Sequence, residues 1–116
     1  MGFDIPVPEI SPTELKSRLD KGDALVIIDV REPHEVQIAA LPPTPNSLHI
    51  PIGEFTNRAA ELDVHKEHEI VVYCKVGGRS EMAANFLRAH GFKSVYNLKG
   101  GILAWSRDVD QTVPQY

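Results

Sequence analysis

Glu69-Ile70-Val71-Val72-Tyr73-Cys74-Lys75-Val76-Gly77-Gly78-Arg79-Ser80-Glu81-Met82-Ala83-Ala84 is the stretch on which the fold turns. Its first five residues are apolar and rich in β-formers, which predicts a buried strand. Residues 81–90 carry a helical pattern, with Ala83, Phe86, Leu87 and His90 on one side. Between them lie two adjacent glycines, an arginine and a serine. The only cysteine of the chain therefore sits at a strand end, in a glycine-containing loop that opens into a helix. Free amides of such a loop and the positive end of the helix converge on one small volume. A sulfur placed there is favoured as thiolate, its nucleophilic form. The plainer reading of Cys74 is a small buried hydrophobe closing a core strand. That reading needs neither the paired glycines nor Arg79 and Ser80, which are the parts of an anion-binding turn.

Working outward, Ser11-Pro12-Thr13-Glu14 is a helix start, with Ser11 as cap, Pro12 in the first turn and Glu14 three residues on. Leu15 and Leu19 share a face of that helix, and Gly22 closes it. The apolar run 24–30 reads as a strand covered on both faces. Pro33 starts a short helix to about residue 40. Three prolines make 41–47 a stiff loop. A short strand is expected near 47–50, a helix over 53–62, and a charged turn at 65–68. After the helix of 81–90, Gly91 is its cap, 94–97 is a last strand, and 100–105 turns into a short helix. Residues 1–10 are expected to lead in as an extended arm. Alternation of strands and helices implies an α/β domain whose parallel sheet is flanked by helices on both faces. Ligands of such sheets bind at the carboxyl ends of strands, where both Cys74 and Asp29-Val30-Arg31 fall.

At 116 residues, with 42% hydrophobic and 24% charged residues, the composition is that of one globular domain. A net charge of −4 with scattered basic residues argues against a nucleic-acid face. No apolar run approaches a membrane span, and no basic-then-apolar leader opens the chain. One cysteine allows no internal disulfide and no CxxC pair. A thiol meant to stay free fits a reducing cytoplasm, so a cytoplasmic protein is expected. His34, His65 and His68 read as surface residues, and Trp105 as core.

Three motifs in order, Asp29-Val30-Arg31-Glu32-Pro33, the Cys74–Ser80 loop and Leu98-Lys99-Gly100-Gly101-Ile102-Leu103-Ala104-Trp105, make the chain resemble a single-domain rhodanese. The resemblance covers about residues 8–107, leaving a short arm before and a tail after. It implies a sheet of about five parallel strands and sulfur transfer through a persulfide on Cys74. The amides of Lys75, Val76, Gly77, Gly78, Arg79 and Ser80 would cradle that persulfide, with Asp29 and Arg31 supporting the loop. The proline-rich stretch 41–47 departs from the family pattern. That stretch and the closing 109–116 resemble rhodanese domains appended to adenylyltransferases that activate ubiquitin-like sulfur-carrier proteins.

The implied enzyme is a sulfurtransferase: Cys74 takes a sulfane sulfur from thiosulfate or a protein persulfide and yields it to a thiol or cyanide. No cofactor and no metal is implied; a cysteine desulfurase or a sulfur-carrier protein would be its partner, with no nucleic acid and no membrane. Lys75 is either a solvated charge or an attractor of anionic donors. Arg79 either bridges to Asp29 or touches substrate. Val76, Gly77 and Gly78 are expected to leave the sulfur open. Two rivals remain. Cysteine phosphatases use Cys-x5-Arg, whereas four residues separate Cys74 from Arg79, leaving a ring too small for a phosphoryl group. A rhodanese fold that only docks a partner is the other, although silent members lack the cysteine kept here.

Overall fold

The computed structural model describes residues 6–116. Five parallel strands form one sheet in the order β1-β5-β4-β2-β3: β1 (Glu9–Ile10), β2 (Leu25–Asp29), β3 (Ser47–His49), β4 (Glu69–Tyr73) and β5 (Ser94–Leu98). The helices are α1 (Pro12–Asp20), α2 (Pro33–Ile38), α3 (Phe55–Arg58), α4 (Gly78–Ala89) and α5 (Gly101–Asp108). The α/β class and the five-stranded parallel sheet are as the sequence predicts.

Strand alternation divides the core in two. Val26, Ile28, Val30, Ile70, Val72 and Cys74 pack on Phe55 of α3, on Leu62 just after it, and on Ala83, Ala84 and Leu87 of α4. Leu25, Ile27, Val71 and Tyr73 pack on Leu15, Ile102 and Trp105 from α1 and α5. β2 and β4 are buried along nearly their whole length, which is why both read as unbroken apolar runs. They are neighbours, Leu25 to Asp29 facing Glu69 to Tyr73. From β2 the chain runs on to β3, and from β4 to β5, at opposite sides of the sheet. The carboxyl ends of β2 and β4 are thus the point where the connections diverge, the usual crevice of an open α/β sheet.

Local signals held at α1, where Ser11 Oγ accepts from the Glu14 amide at 3.1 Å and Gly22 takes φ +80°. Three expectations are corrected. Residues 9–10 are not a free arm: they pair with Asn97 and Leu98 as an edge strand, because β5 would otherwise present an open edge. Residues 1–5 of that arm lie outside the described residues. The helix expected over 53–62 is one α-turn between 3₁₀ segments, Ile52–Glu54 and Ala59–His65. Gly53, Thr56 and Asn57 are poor helix formers, and burial of Phe55 and Leu62 fixes the path instead. Finally, α4 starts at Gly78, three residues before the apolar periodicity does.

The junction of β4 with α5 fixes the end of the central strand. The Ile102 amide donates to the Cys74 carbonyl at 2.9 Å, and the Leu103 amide to the Lys75 carbonyl at 3.2 Å. This approach needs Gly101, at φ +64°, since a Cβ there would collide with the carbonyls of Lys75 and Cys74. Gly101→Ala is expected to cost about 3 kcal/mol, from a left-handed backbone and a backbone clash together. In thermal unfolding that is a drop of roughly 10 °C. A change within 2 °C would mean that the contact is not a constraint.

Candidate functional site

Cys74 follows β4 directly, and its Sγ faces the start of α4. The Gly77 amide donates to Sγ at 3.1 Å and the Ser80 amide at 3.4 Å. These are first-turn amides, which a helix leaves without internal partners. That is why α4 begins early: Gly78, Arg79 and Ser80 must be helical for the Ser80 N–H to reach the sulfur. Gly77, at φ +121°, turns the chain into the helix. The Ser80 hydroxyl lies 3.3 Å from Sγ and 2.6 Å from Asn97 Oδ1. It has one proton, for which these two acceptors and the Gly77 carbonyl at 3.2 Å compete, and an anionic sulfur draws the proton toward itself. Asn97 in turn donates to the Gly77 carbonyl at 3.0 Å. Burial pushes the Cys74 thiol up, yet the Ser80 hydroxyl and the amides of Ser80, Gly77 and Val76 outweigh it and hold the thiol below its ordinary value.

The sulfur is not open. Cys74 is 1% exposed, whereas Val76 beside it is 60% exposed. The small residues of the loop let its backbone close over Sγ instead of leaving a gap. Gly78 and Lys75 complete the loop, Lys75 with its Nζ 4.7 Å from the centroid of the Tyr116 ring.

Arg79 does not bridge to Asp29. Its guanidinium grips Glu35 of α2 through two bonds, 2.6 Å to Oε1 and 3.0 Å to Oε2. Asp29 is taken by the fully buried Arg31, through bonds of 2.9 and 2.8 Å, and by the Tyr73 hydroxyl at 3.0 Å. Arg31 also donates to the carbonyls of Glu35 and Ala39 and to the Tyr116 hydroxyl. Asp29 and Arg31 therefore fix α2 and the tail, and meet the Cys74 loop through intermediates, Tyr73 before it and Tyr116 beside Lys75. His49 caps the Arg31 carbonyl from β3, while His65 and His68 contact each other at the surface.

Glu35, Asn97 and Tyr116 escape the sequence reading. Glu35 had a signal, since Glu32-Pro33-His34-Glu35 spells a capping box, and its Oε1 does accept the Glu32 amide at 3.0 Å. Asn97 had a weaker one: asparagine is uncommon inside strands, yet it is buried in β5. Tyr116 had none, being brought in by the fold of the tail. Glu35 collects four donors, the last from the Tyr116 hydroxyl at 2.8 Å. The Arg79 guanidinium leads in holding its carboxyl far below the usual carboxylate range, against the opposing effect of burial.

The family model of the rhodanese-like domain matches residues 11–108. This chain belongs to that family. It is 42% identical over 116 residues to a rhodanese-like/PpiC domain-containing chloroplastic protein of Arabidopsis thaliana, covering 96% of this chain but 38% of that protein. A sulfurtransferase of Allochromatium vinosum is 34% identical, with 87% of this chain and 90% of the relative aligned. The adenylyltransferase and sulfurtransferase MOCS3-1 of Zea mays is also 34% identical, across 92% of this chain and 23% of its own length. The appended-domain resemblance read from the sequence thus has a counterpart among the relatives, and the chain spans only part of two of these three. Among solved structures, a rhodanese-related protein of Thermoplasma volcanium superposes with a TM-score of 0.75 at 28% identity, covering 88% of this chain and 93% of that one.

Glu35 gives a prediction with a definite sign. Its folded-state pKa lies below the ordinary 4.5, so its contribution to stability is present above about pH 4.5 and is lost as pH falls through the folded value. Glu35→Gln should cost about 2 kcal/mol at pH 7, by stranding the partly buried Arg79. The variant should then lose less stability than wild type between pH 4.5 and 2. Parallel urea melts that keep the same gap down to pH 2 would contradict this.

Proposed function

We propose that the chain is a sulfurtransferase that carries a sulfane sulfur as a persulfide on Cys74. Sulfur transfer in general is supported by the rhodanese-like family and by the sulfurtransferase relative. The observation that carries the residue assignment is the convergence of the Gly77 amide, the Ser80 amide and the Ser80 hydroxyl on one buried sulfur.

The Cys74 thiolate attacks the outer sulfur of thiosulfate. A new S–S bond forms, the S–S bond of thiosulfate breaks, and sulfite leaves with the electron pair. Cys74 is left as a persulfide anion. An acceptor such as cyanide attacks its outer sulfur, thiocyanate departs, and the thiolate returns. Every resting state is anionic, so donors fixed toward the sulfur stabilise each of them and the charge that moves between them. Residues 75–80 supply that frame, and Arg79 contributes by bracing it against Glu35. A protein persulfide is the other donor that fits, from a cysteine desulfurase or a sulfur-carrier relay. Because the sulfur is buried, such a donor must present it on a thin extended segment.

Two measurements test this. Wild type incubated with thiosulfate should gain about 32 Da, one sulfur, in intact mass, and Cys74→Ser should gain nothing and lose thiosulfate:cyanide activity at least a thousandfold. Activity of the variant within tenfold of wild type would remove Cys74 from the role. The pH profile of iodoacetamide alkylation should turn below the ordinary thiol value of 9.0. Ser80→Ala should move that turn upward, since one donor is lost; an unmoved profile would leave the hydroxyl with no part in holding the anion.

A further inference from the structure

We propose that Tyr116 is a positioning residue that aims Lys75 as the docking cation for an anionic sulfur donor. The inference rests on the sulfur-transfer reading of Cys74 and adds to it how the donor is received.

Three cations border the site, and two of them are spent. Arg31 is fully buried, and its nitrogens go to Asp29, to two carbonyls and to the Tyr116 hydroxyl. Arg79 gives two guanidinium nitrogens to one carboxylate, so its charge is matched by Glu35. Lys75, next to the sulfur-bearing residue, forms no ion pair among the described residues and lies over the Tyr116 ring. Its carbonyl accepts the Leu103 amide, so the backbone from which the side chain projects is tied to α5. A face-on ring draws an ammonium without neutralising it. Lys75 is thereby held as an uncompensated charge beside the loop, which is what a dianion such as thiosulfate needs on approach.

The ring is itself fixed from both ends. Its hydroxyl donates to Glu35 and accepts from Arg31, each at 2.8 Å. The tail behind it is folded back on α5: the Ser106 hydroxyl donates to the Val113 carbonyl, and Val109, Val113 and Tyr116 pack on the second core cluster. An exposed tail with no task would need none of these contacts. One side chain therefore ties α2, the Arg79 brace and the Lys75 ammonium together.

Steady-state thiosulfate:cyanide kinetics on the purified 116-residue chain tests this. Tyr116→Ala and Lys75→Ala should each raise the KM for thiosulfate about three- to tenfold, with kcat within twofold. The double variant should be no worse than the poorer single one, because both remove the same held charge. Tyr116→Phe keeps the π face but loses the two hydroxyl anchors, so its KM should fall between those of wild type and the alanine variant. The salt dependence of kcat/KM should flatten in both alanine variants. Should Tyr116→Ala fail to fold, Tyr116→Leu, which keeps apolar packing without a π face, replaces it. An unchanged KM in the alanine or leucine variant, additive effects in the double variant, or a Phe variant as poor as Ala each overturn the proposal alone. A wild-type chain that takes up no sulfur overturns this proposal together with the function it rests on.

Discussion

The direction in which a peptide plane faces decides whether a buried sulfur meets hydrogens or oxygens. At Cys74 and Lys75 the carbonyls are captured by the first amides of α5, at 2.9 and 3.2 Å. With those oxygens turned toward α5, the amides of the next residues are left to curl around Sγ. Gly101 makes this possible, for no other residue could bring α5 so close to the two carbonyls. Two helix N-termini therefore divide the work at the end of β4. α5 takes the acceptors, and α4 supplies the donors. Sequence separates Cys74 from Gly101 by a helix and a strand, but the site depends on both.

A second constraint is electrostatic. Burying a carboxylate is costly unless its lone pairs are met, and Glu35 meets them with the Arg79 fork, its own helix cap and the Tyr116 hydroxyl. Because these donors come from α4, α2 and the tail, satisfying one carboxylate fixes three segments relative to each other. Asp29 and Arg31 repeat the arrangement one layer deeper, anchored by Tyr73 on β4. The charges pair off, so no carboxylate or guanidinium is left buried and unmatched beside the sulfur.

What could be read from sequence was local. β2 and β4 announced themselves as unbroken apolar runs, α1 through Ser11 and Gly22, and the sulfur loop through Gly77-Gly78 before a helix. The fifth strand was counted but not placed, because two residues, Glu9 and Ile10, carry no periodicity and pair only when β5 offers an edge. The partner of Arg79 was misread for a related reason. Asp29 ends β2 and Glu35 lies six residues on in α2, and only the three-dimensional path shows that Arg31 already occupies the first. Tyr116 lies 81 residues from Glu35 in the chain, beyond the reach of any spacing rule.

The open sulfur expected from the small loop residues became a closed one for a physical reason that also serves the chemistry. Glycines remove side-chain bulk, and the backbone uses that room to approach the sulfur instead of leaving it to water. In the sulfur transfer proposed for Cys74, a thiolate at 1% exposure would have few water molecules to lose on attack. The Gly77 and Ser80 amides that meet Sγ are fixed and would need no reorientation if, as proposed, charge passed from an inner to an outer sulfur. Burial alone would have suppressed the anion, and donors alone, in water, would have contributed little. Their combination lets a cysteine be shielded while its thiol is held below the ordinary value, so the same short loop that buries the sulfur also favours its anion.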